Sequence, residues 1–249
     1  MRPPQGYGTA ATHAYRGGRG IQDQLCDVFL KIGGSILDKD ALTSNLVPHI
    51  TALSREKRIV ILPGGGQAVK RIKTNQQHHD IDFHSTWITA VLCLDVNAGV
   101  LASYSRLLTA ASSAEEMAAC FEAGNVAVFA AAGNVFTNLN LTPDFRATTD
   151  SMGLYFAKTL GARRYVVVSD VDGIYENKPE EGSLATAIAH LTLEQLERLP
   201  SSKLDPSFPE FFRRYPVPTL IVNGRHPDRV GAAIRGDPTI GTEIAIPDA

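Results

Sequence analysis

The sequence predicts an α/β fold built on a mainly parallel sheet, and three features predict it. Short apolar runs alternate with longer segments whose apolar residues recur at helical spacing, the pattern of strands joined by crossover helices. The strand-like runs show almost no polar alternation, as expected of strands covered on both faces. Glycine-bearing turns follow three of them, at Gly33-Gly34-Ser35, at Gly64-Gly65-Gly66 and around Gly173.

In order, "VFLKIGG" reads as a strand, Ala41 to Glu56 as a helix, "RIVILPG" as a second strand and Gln67 to Asn75 as a second helix. Strands separated by helices pair in parallel, because a tight hairpin joins only antiparallel neighbours. From His84 to about Ser105 the run "STWITAVLCLDVNAGVLASYS" is apolar at helical spacing, with Asp95 and Asn97 as its strongly polar interruptions. It predicts one long, largely buried helix. A second α/β half follows: helix Ala114 to Glu122, strand "VAVFAAA", helix Thr149 to Leu160 and strand "RYVVVSD". Short helices at Thr192 to Leu199 and Phe208 to Tyr215 precede the strand "PTLIVNG", a helix from Asp228 to Arg235 and a final extended "GTEIAI". Pro227 suits the first turn of that last helix and Gly236 its stop. No tandem repeat or linker separates the halves, so they are expected to share one sheet.

At 249 residues the chain is within the size of one core or two lobes on one sheet. With 44% hydrophobic residues, 20% charged and a net charge of -2, it has neither the composition of a disordered chain nor a basic footprint for nucleic acid or a membrane surface. A small-molecule partner is expected. Cys26, Cys93 and Cys120 are odd in number and form no CxxC pair, which argues against a zinc site or a disulfide framework and for reduced thiols. No run reads as the ~20 apolar residues of a spanning helix, and the start "MRPPQGYGTAATHAYRGGRGIQDQ" lacks an apolar core. A cytoplasmic protein is expected, with residues 1–26, rich in Gly and Pro, as a flexible extension.

The glycines point to an anion. Without a Cβ, backbone amides approach a phosphate closely, and a helix start behind the loop adds its dipole. Two such loops at the carboxyl ends of parallel strands form a phosphate cradle. The spelling matches neither a P-loop, since no GxxxxGK occurs, nor a dinucleotide fingerprint, since Val69 stands where a third glycine belongs. In "DVFLKIGGSIL", Lys31 places an ammonium at the end of an apolar strand, just before the first glycines. Alone it is a lysine snorkelling from a strand end. Beneath a phosphate it would neutralise the transferring group, an effect of about 3 kcal/mol in a dry site. "HHDIDFH", with His78, His79, Asp80, Asp82 and His84, has no recognised zinc spacing, so no metal-ligating side chains are expected.

"KIGGSIL", "ILPGGGQAV", "RATTDSMGLYFAKTLGARRYVVVSDVDGIYENKP" and "LIVNGRHPDRVGAAIRGDPTIGTEI" follow one another over nearly the whole chain after residue 27. In that order they resemble the signature segments of the amino acid kinase superfamily, which includes acetylglutamate, uridylate and isopentenyl phosphate kinases. The resemblance implies a three-layer α/β/α sandwich with a mainly parallel central sheet, with residues 27–140 binding the phosphoryl acceptor and 141–249 the nucleotide. It implies transfer of the γ-phosphoryl group of ATP, with Mg²⁺, to a phosphorylated small molecule, and a homo-oligomer. "VNGRHPDRV" and "LDPSFPEFFRRY" resemble the branch that acts in methanofuran biosynthesis, part of one-carbon metabolism. The "VNG" and "VDGIY" regions are also similar to molybdenum storage proteins, which keeps a non-catalytic oxyanion-binding role as an alternative beside the other kinases.

Carried over by position, the resemblance makes Lys31 the lysine on the transferring phosphoryl group and Asp150 the aspartate that orients it. Gly33, Gly34 and Ser35 become nucleotide-side loop amides, and Ser169, Asp170, Asp172, Gly173 and Tyr175 the base and ribose segment. Arg213 aligns with a second, late lysine, with Lys203 as the competing position. The acceptor is expected between Gly64, Gly65, Gly66, the long helix and the loop "GNVFTNLNLTPDFR", with Arg146 on its phosphate and Asn134 and Asn140 as hydrogen-bonding groups. His226 is expected to be structural. Bland readings stand beside these: Asp150 as an acid at a helix start, Asp172-Gly173 as a plain turn, and Arg213 and Arg146 as solvated surface.

Overall fold

The computed structural model describes residues 24–138, 140–141, 143–176, 186–199 and 202–246. Strand β1 (Val28–Ile32) leads through one helical turn, α1 (Gly34–Leu37), to α2 (Asp40–Thr51), β2 (Ile59–Pro63), α3 (Gly66–His79) and α4 (Phe83–Ala102). Then come β3 (Leu108–Ala111), α5 (Ala114–Glu122), β4 (Val126–Phe129), α6 (Ala132–Phe136), α7 (Thr149–Thr159) and β5 (Arg164–Ser169). The chain continues with β6 (His190–Leu191), α8 (Leu193–Arg198), α9 (Phe208–Arg214), β7 (Thr219–Asn223), α10 (Pro227–Arg235) and β8 (Thr242–Ile244).

The strands form one sheet in the order β3-β4-β2-β1-β5-β7-β8-β6. Among the described residues, every pairing is parallel except that of β7 with β8. Because side chains alternate along a strand, β1 feeds two cores. Val28, Leu30 and Ile32 join the layer of α2 and α10, and Phe29 joins the layer of α7. Helices on both faces make the three-layer α/β/α sandwich. The same parity sends Lys31 to the α7 side, which decides what it can meet.

Some elements differ from the sequence reading. Strands β3 and β6 and the short helices α1 and α6 were not anticipated, since four residues or fewer of "LTAA" or "HL" carry no readable period. Helix α2 ends at Thr51, not Glu56, and α3 runs on to His79. Helix α4 buries Trp87, Val91, Leu94, Ala98 and Leu101 but leaves Leu92, Val96 and Val100 at 47%, 64% and 54% exposure, so it is buried on one face only. Contrary to the expectation that no such run exists, α4 is long and apolar enough to cross a membrane; here it packs on β2, β3, β4 and α3. The expected N-terminal extension falls outside the described residues up to residue 23. Its last residues belong to the fold: the Leu25 and Cys26 amides donate to the Leu160 carbonyl at 3.0 and 3.4 Å, and Cys26 is fully buried.

Candidate active site

Strands β1 and β2 lie side by side, so both glycine loops leave the sheet at the same end. The Gly33 amide donates to the Val168 carbonyl at 2.9 Å and the Gly64 amide to the Ile32 carbonyl at 2.8 Å, which stitches the loops to the strand ends. They touch: a Cβ on Gly34 would lie 2.4 Å from Gly66 N, and one on Gly64 would lie 2.8 Å from Gly34 N. Only glycine permits that approach. The amides of Gly34, Ser35, Gly65 and Gly66 stand at the starts of α1 and α3, where a helix offers no acceptor.

Lys31 reaches the α7 side beneath these loops and pairs with Asp150 at 2.6 Å, both side chains being largely buried. The ammonium is the partner of an otherwise unbonded Asp150 Oδ1. Asp150 sits in the first turn of α7, where unpaired amides favour a carboxylate. The Tyr165 hydroxyl donates to the Asp150 carbonyl at 3.0 Å, and burial pushes that phenol well above its usual pKa. Gly153 lets α7 lie flat here, because a Cβ on it would stand 2.2 Å from the Tyr165 hydroxyl oxygen.

The next strand ends supply a second group of residues. Ser169 closes β5, and its carbonyl accepts from the Gly224 amide at 2.7 Å, just past β7. Asp172 accepts from Asn223 Nδ2 at 2.8 Å and from Arg229 at 2.7 Å. Chiefly the Asn223 bond, then the Arg229 guanidinium, holds its carboxyl below the usual range, against the pull of burial. A Cβ on Gly173 would meet Thr242 Oγ1 at 2.4 Å, so this turn is pressed against the β8 start. Tyr175 is half-buried on the same segment. Lys203 lies 3.7 Å from Asp170.

Arg213 is elsewhere. It is 60% exposed on α9 and pairs with Glu197 at 2.6 Å, as a solvated helix face does. Of the two late cations, Lys203 is the one beside the strand ends. Asn134 donates to the Ser112 carbonyl and Asn140 accepts from Arg214. Both line a cavity of about 260 Å³ between α5 and α7 that includes none of the glycine loops. Arg146 is exposed.

The pocket that does reach the second glycine loop is smaller, about 70 Å³, and has Gly65 and Thr149 in its lining. Trp87, Val91, Phe145 and Met152 wall it. Lys73 also lines it, with its ammonium 4.3 Å above the Phe145 ring. Lys73, Trp87 and Phe145 were missed by sequence reasoning. One signal was available: Gly65, Val69 and Lys73 recur every four residues, one face of α3. Loop amides at two helix starts, a glycine cradle and buried Lys31 together fit a polyphosphate chain.

Residues 28–213 match the model of the amino acid kinase family. Over 220 residues the chain is 28% identical to [5-(aminomethyl)furan-3-yl]methyl phosphate kinase of Methanocaldococcus jannaschii, covering 86% of this chain and 96% of that protein. It is 23% identical to a uridylate kinase of Methanoculleus marisnigri, covering 87% and 94% of the two. Among solved structures, uridylate kinase from Archaeoglobus fulgidus superposes with a TM-score of 0.68 at 20% identity, over 88% of this chain and 100% of that one. An eight-stranded, mostly parallel sheet, a lysine beneath paired glycine loops and a family match over most of the chain agree: the protein is a phosphotransferase of the amino acid kinase family.

Proposed function

We propose that the protein transfers the γ-phosphoryl group of ATP to a small phosphorylated acceptor carrying one ring, [5-(aminomethyl)furan-3-yl]methyl phosphate or a close analogue, and forms its diphosphate. The reading places it in methanofuran-type cofactor synthesis within one-carbon metabolism, in the cytoplasm, as a homo-oligomer. The single observation that carries it is the apolar, aromatic-walled pocket that reaches Gly65 of the second glycine loop and Thr149, the residue before the Asp150 that pairs with Lys31.

In this reading an acceptor phosphate oxygen attacks the γ-phosphorus, the bond from that phosphorus to the β-bridging oxygen breaks, and ADP leaves. No general base is required, because a phosphate acceptor is already ionised near neutral pH. Lys31, held by Asp150, neutralises the equatorial oxygens, and the Gly34 and Gly65 amides donate to them. Lys203 faces the leaving side. Mg²⁺ arriving with the nucleotide would supply further neutralisation of phosphate charge. Ser169, Asp170, Asp172, Gly173 and Tyr175 hold the nucleoside, and Lys73 takes the acceptor phosphate in place of Arg146. Trp87 and Phe145 cover the ring.

Uridylate is the second reading, favoured by several relatives. The lining argues against it: beside the Trp87 indole N–H, the polar side chains lining the pocket are Lys73, Thr148 and Thr149. A pyrimidine base would find no amide side chain there to read its edges. Oxyanion storage requires neither an acceptor pocket nor a buried lysine at the transfer point. The deciding experiment is phosphorus NMR of Mg-ATP with a panel of the furan phosphate, its dephosphorylated alcohol, UMP and acetylglutamate. Coupled diphosphate signals with the furan phosphate are expected. Consumption of UMP alone, or of the alcohol alone, overturns the proposal.

A further inference from the structure

Asp205 lies on the loop between α8 and α9, two residues after Lys203, and is only 7% exposed. Its carboxylate accepts from the Thr148 amide at 2.7 Å, the Thr148 hydroxyl at 2.8 Å, the Ser151 amide at 3.1 Å and the Ser151 hydroxyl. It also accepts from the Ser207 amide of its own loop at 3.1 Å. Thr148 is the N-cap residue of α7, yet its side chain makes no capping bond to the helix. The cap is supplied from 54 to 57 residues away.

A local Ser or Thr would satisfy the same amides at lower cost than a buried carboxylate. A local cap cannot tie two segments together, and this one does. Thr149 and Asp150 lie between the two gripped residues, so the clamp sets where Asp150 sits and, through the 2.6 Å pair, where Lys31 points. The same loop sets Lys203 beside Asp170.

We infer that Asp205 is a positioning residue that holds both phosphate-facing cations in one frame, Lys31 through the start of α7 and Lys203 through its own loop. It touches no reacting atom. The kinetic part of this inference rests on the proposed transfer reaction; the structural part does not.

The test uses Asp205→Asn in the wild-type and in a Lys31→Arg background, with Ser151→Ala as a milder variant should Asp205→Asn not fold. Misplacement by about 1 Å costs on the order of a hundredfold in rate, so kcat for Asp205→Asn should fall by about tenfold to a hundredfold with KM for ATP changed by less than about twofold. In the Lys31→Arg background the same substitution should cost less than about threefold, because residues acting as one unit are not additive. Full additivity, or unchanged kcat, overturns the inference. A second readout needs no acceptor: the ¹⁵N resonance of the Lys31 ammonium should shift or broaden in the Asp205 or Ser151 variant. An unmoved resonance refutes the positioning role whatever the substrate. A moved resonance in a protein that phosphorylates no acceptor upholds it while the proposed reaction fails.

Discussion

Lys31 is the residue at which sequence and structure are hardest to separate. An ammonium ending an apolar strand is ambiguous until strand parity is applied, and parity places it on the α7 side, opposite Asp150. In the proposed reaction its removal takes the charge from the transferring group, so Lys31→Ala should lower kcat by about 10²–10³. It also strands a buried carboxylate, so the melting temperature should fall as well; near-normal turnover would refute the role. For the late cation the structure favours Lys203 by position, beside Asp170 at the end of β5. Sequence alignment favoured Arg213, but a guanidinium bound to Glu197 on an open helix face contributes little. Lys203→Ala should reduce kcat by about tenfold or more, whereas Arg213→Ala should stay within about twofold, as steady-state kinetics on both variants will show. Asp172 adds a pH signature. Its carboxyl is held below the usual range first by Asn223 and then by Arg229, so its contribution is present above the unfolded value of about 4 and is lost as pH falls through the folded value. Nucleotide affinity in Asn223→Ala should therefore decline at a higher pH than in the wild type when titrated downward; coincident curves would refute the coupling.

At the scale of elements, the strands and helices that bury a whole face were readable, and those that borrow stability from neighbours were not. β1, β2 and β5 are continuous apolar runs because helices cover both sides. β3 exists because β4 pairs with it, and "LTAA" alone has no pattern to report. The two polar residues that interrupt α4 turn out to have partners. Asn97 donates to the Gly64 carbonyl at 2.7 Å, and Asp95 accepts from the Ala132 amide at 2.9 Å, so the apolar helix anchors the second glycine loop and the start of α6. Neither partner is near in sequence, which is why the residues looked like exceptions. The pocket at Gly65 lies where the sequence placed an acceptor, between the second glycine loop, the long helix and the loop before α7, but its wall from α3 and the start of α7 was not legible, because those side chains meet only in the fold. Packing of α7 on β5 gives a sharp test. Gly153→Ala drives a methyl to 2.2 Å from the Tyr165 hydroxyl oxygen, so stability should drop by about 1–3 kcal/mol. Urea denaturation with an unchanged midpoint would show that the helix shifts freely.

For the whole molecule the open question is the outer face of α4. Leu92, Val96 and Val100 form a stripe at four-residue spacing on a helix whose one charged residue between Phe83 and Ala102, apart from His84, is Asp95, and Asp95 is engaged with α6. Water gains nothing from this arrangement. Covering three branched side chains is worth about 25 cal/mol per Å² of apolar surface removed. A second copy meeting the stripe about a twofold axis would bury both faces at once, since an isologous contact presents the same residues from each side. Light scattering should then report a dimer or larger assembly at micromolar concentration. Val96→Glu, which puts two like charges near the axis, should convert it to monomer while leaving the Lys31 site intact. A wild-type monomer at that concentration, or a chain that floats with lipid vesicles through this helix, would remove the second copy as the stripe's occupant.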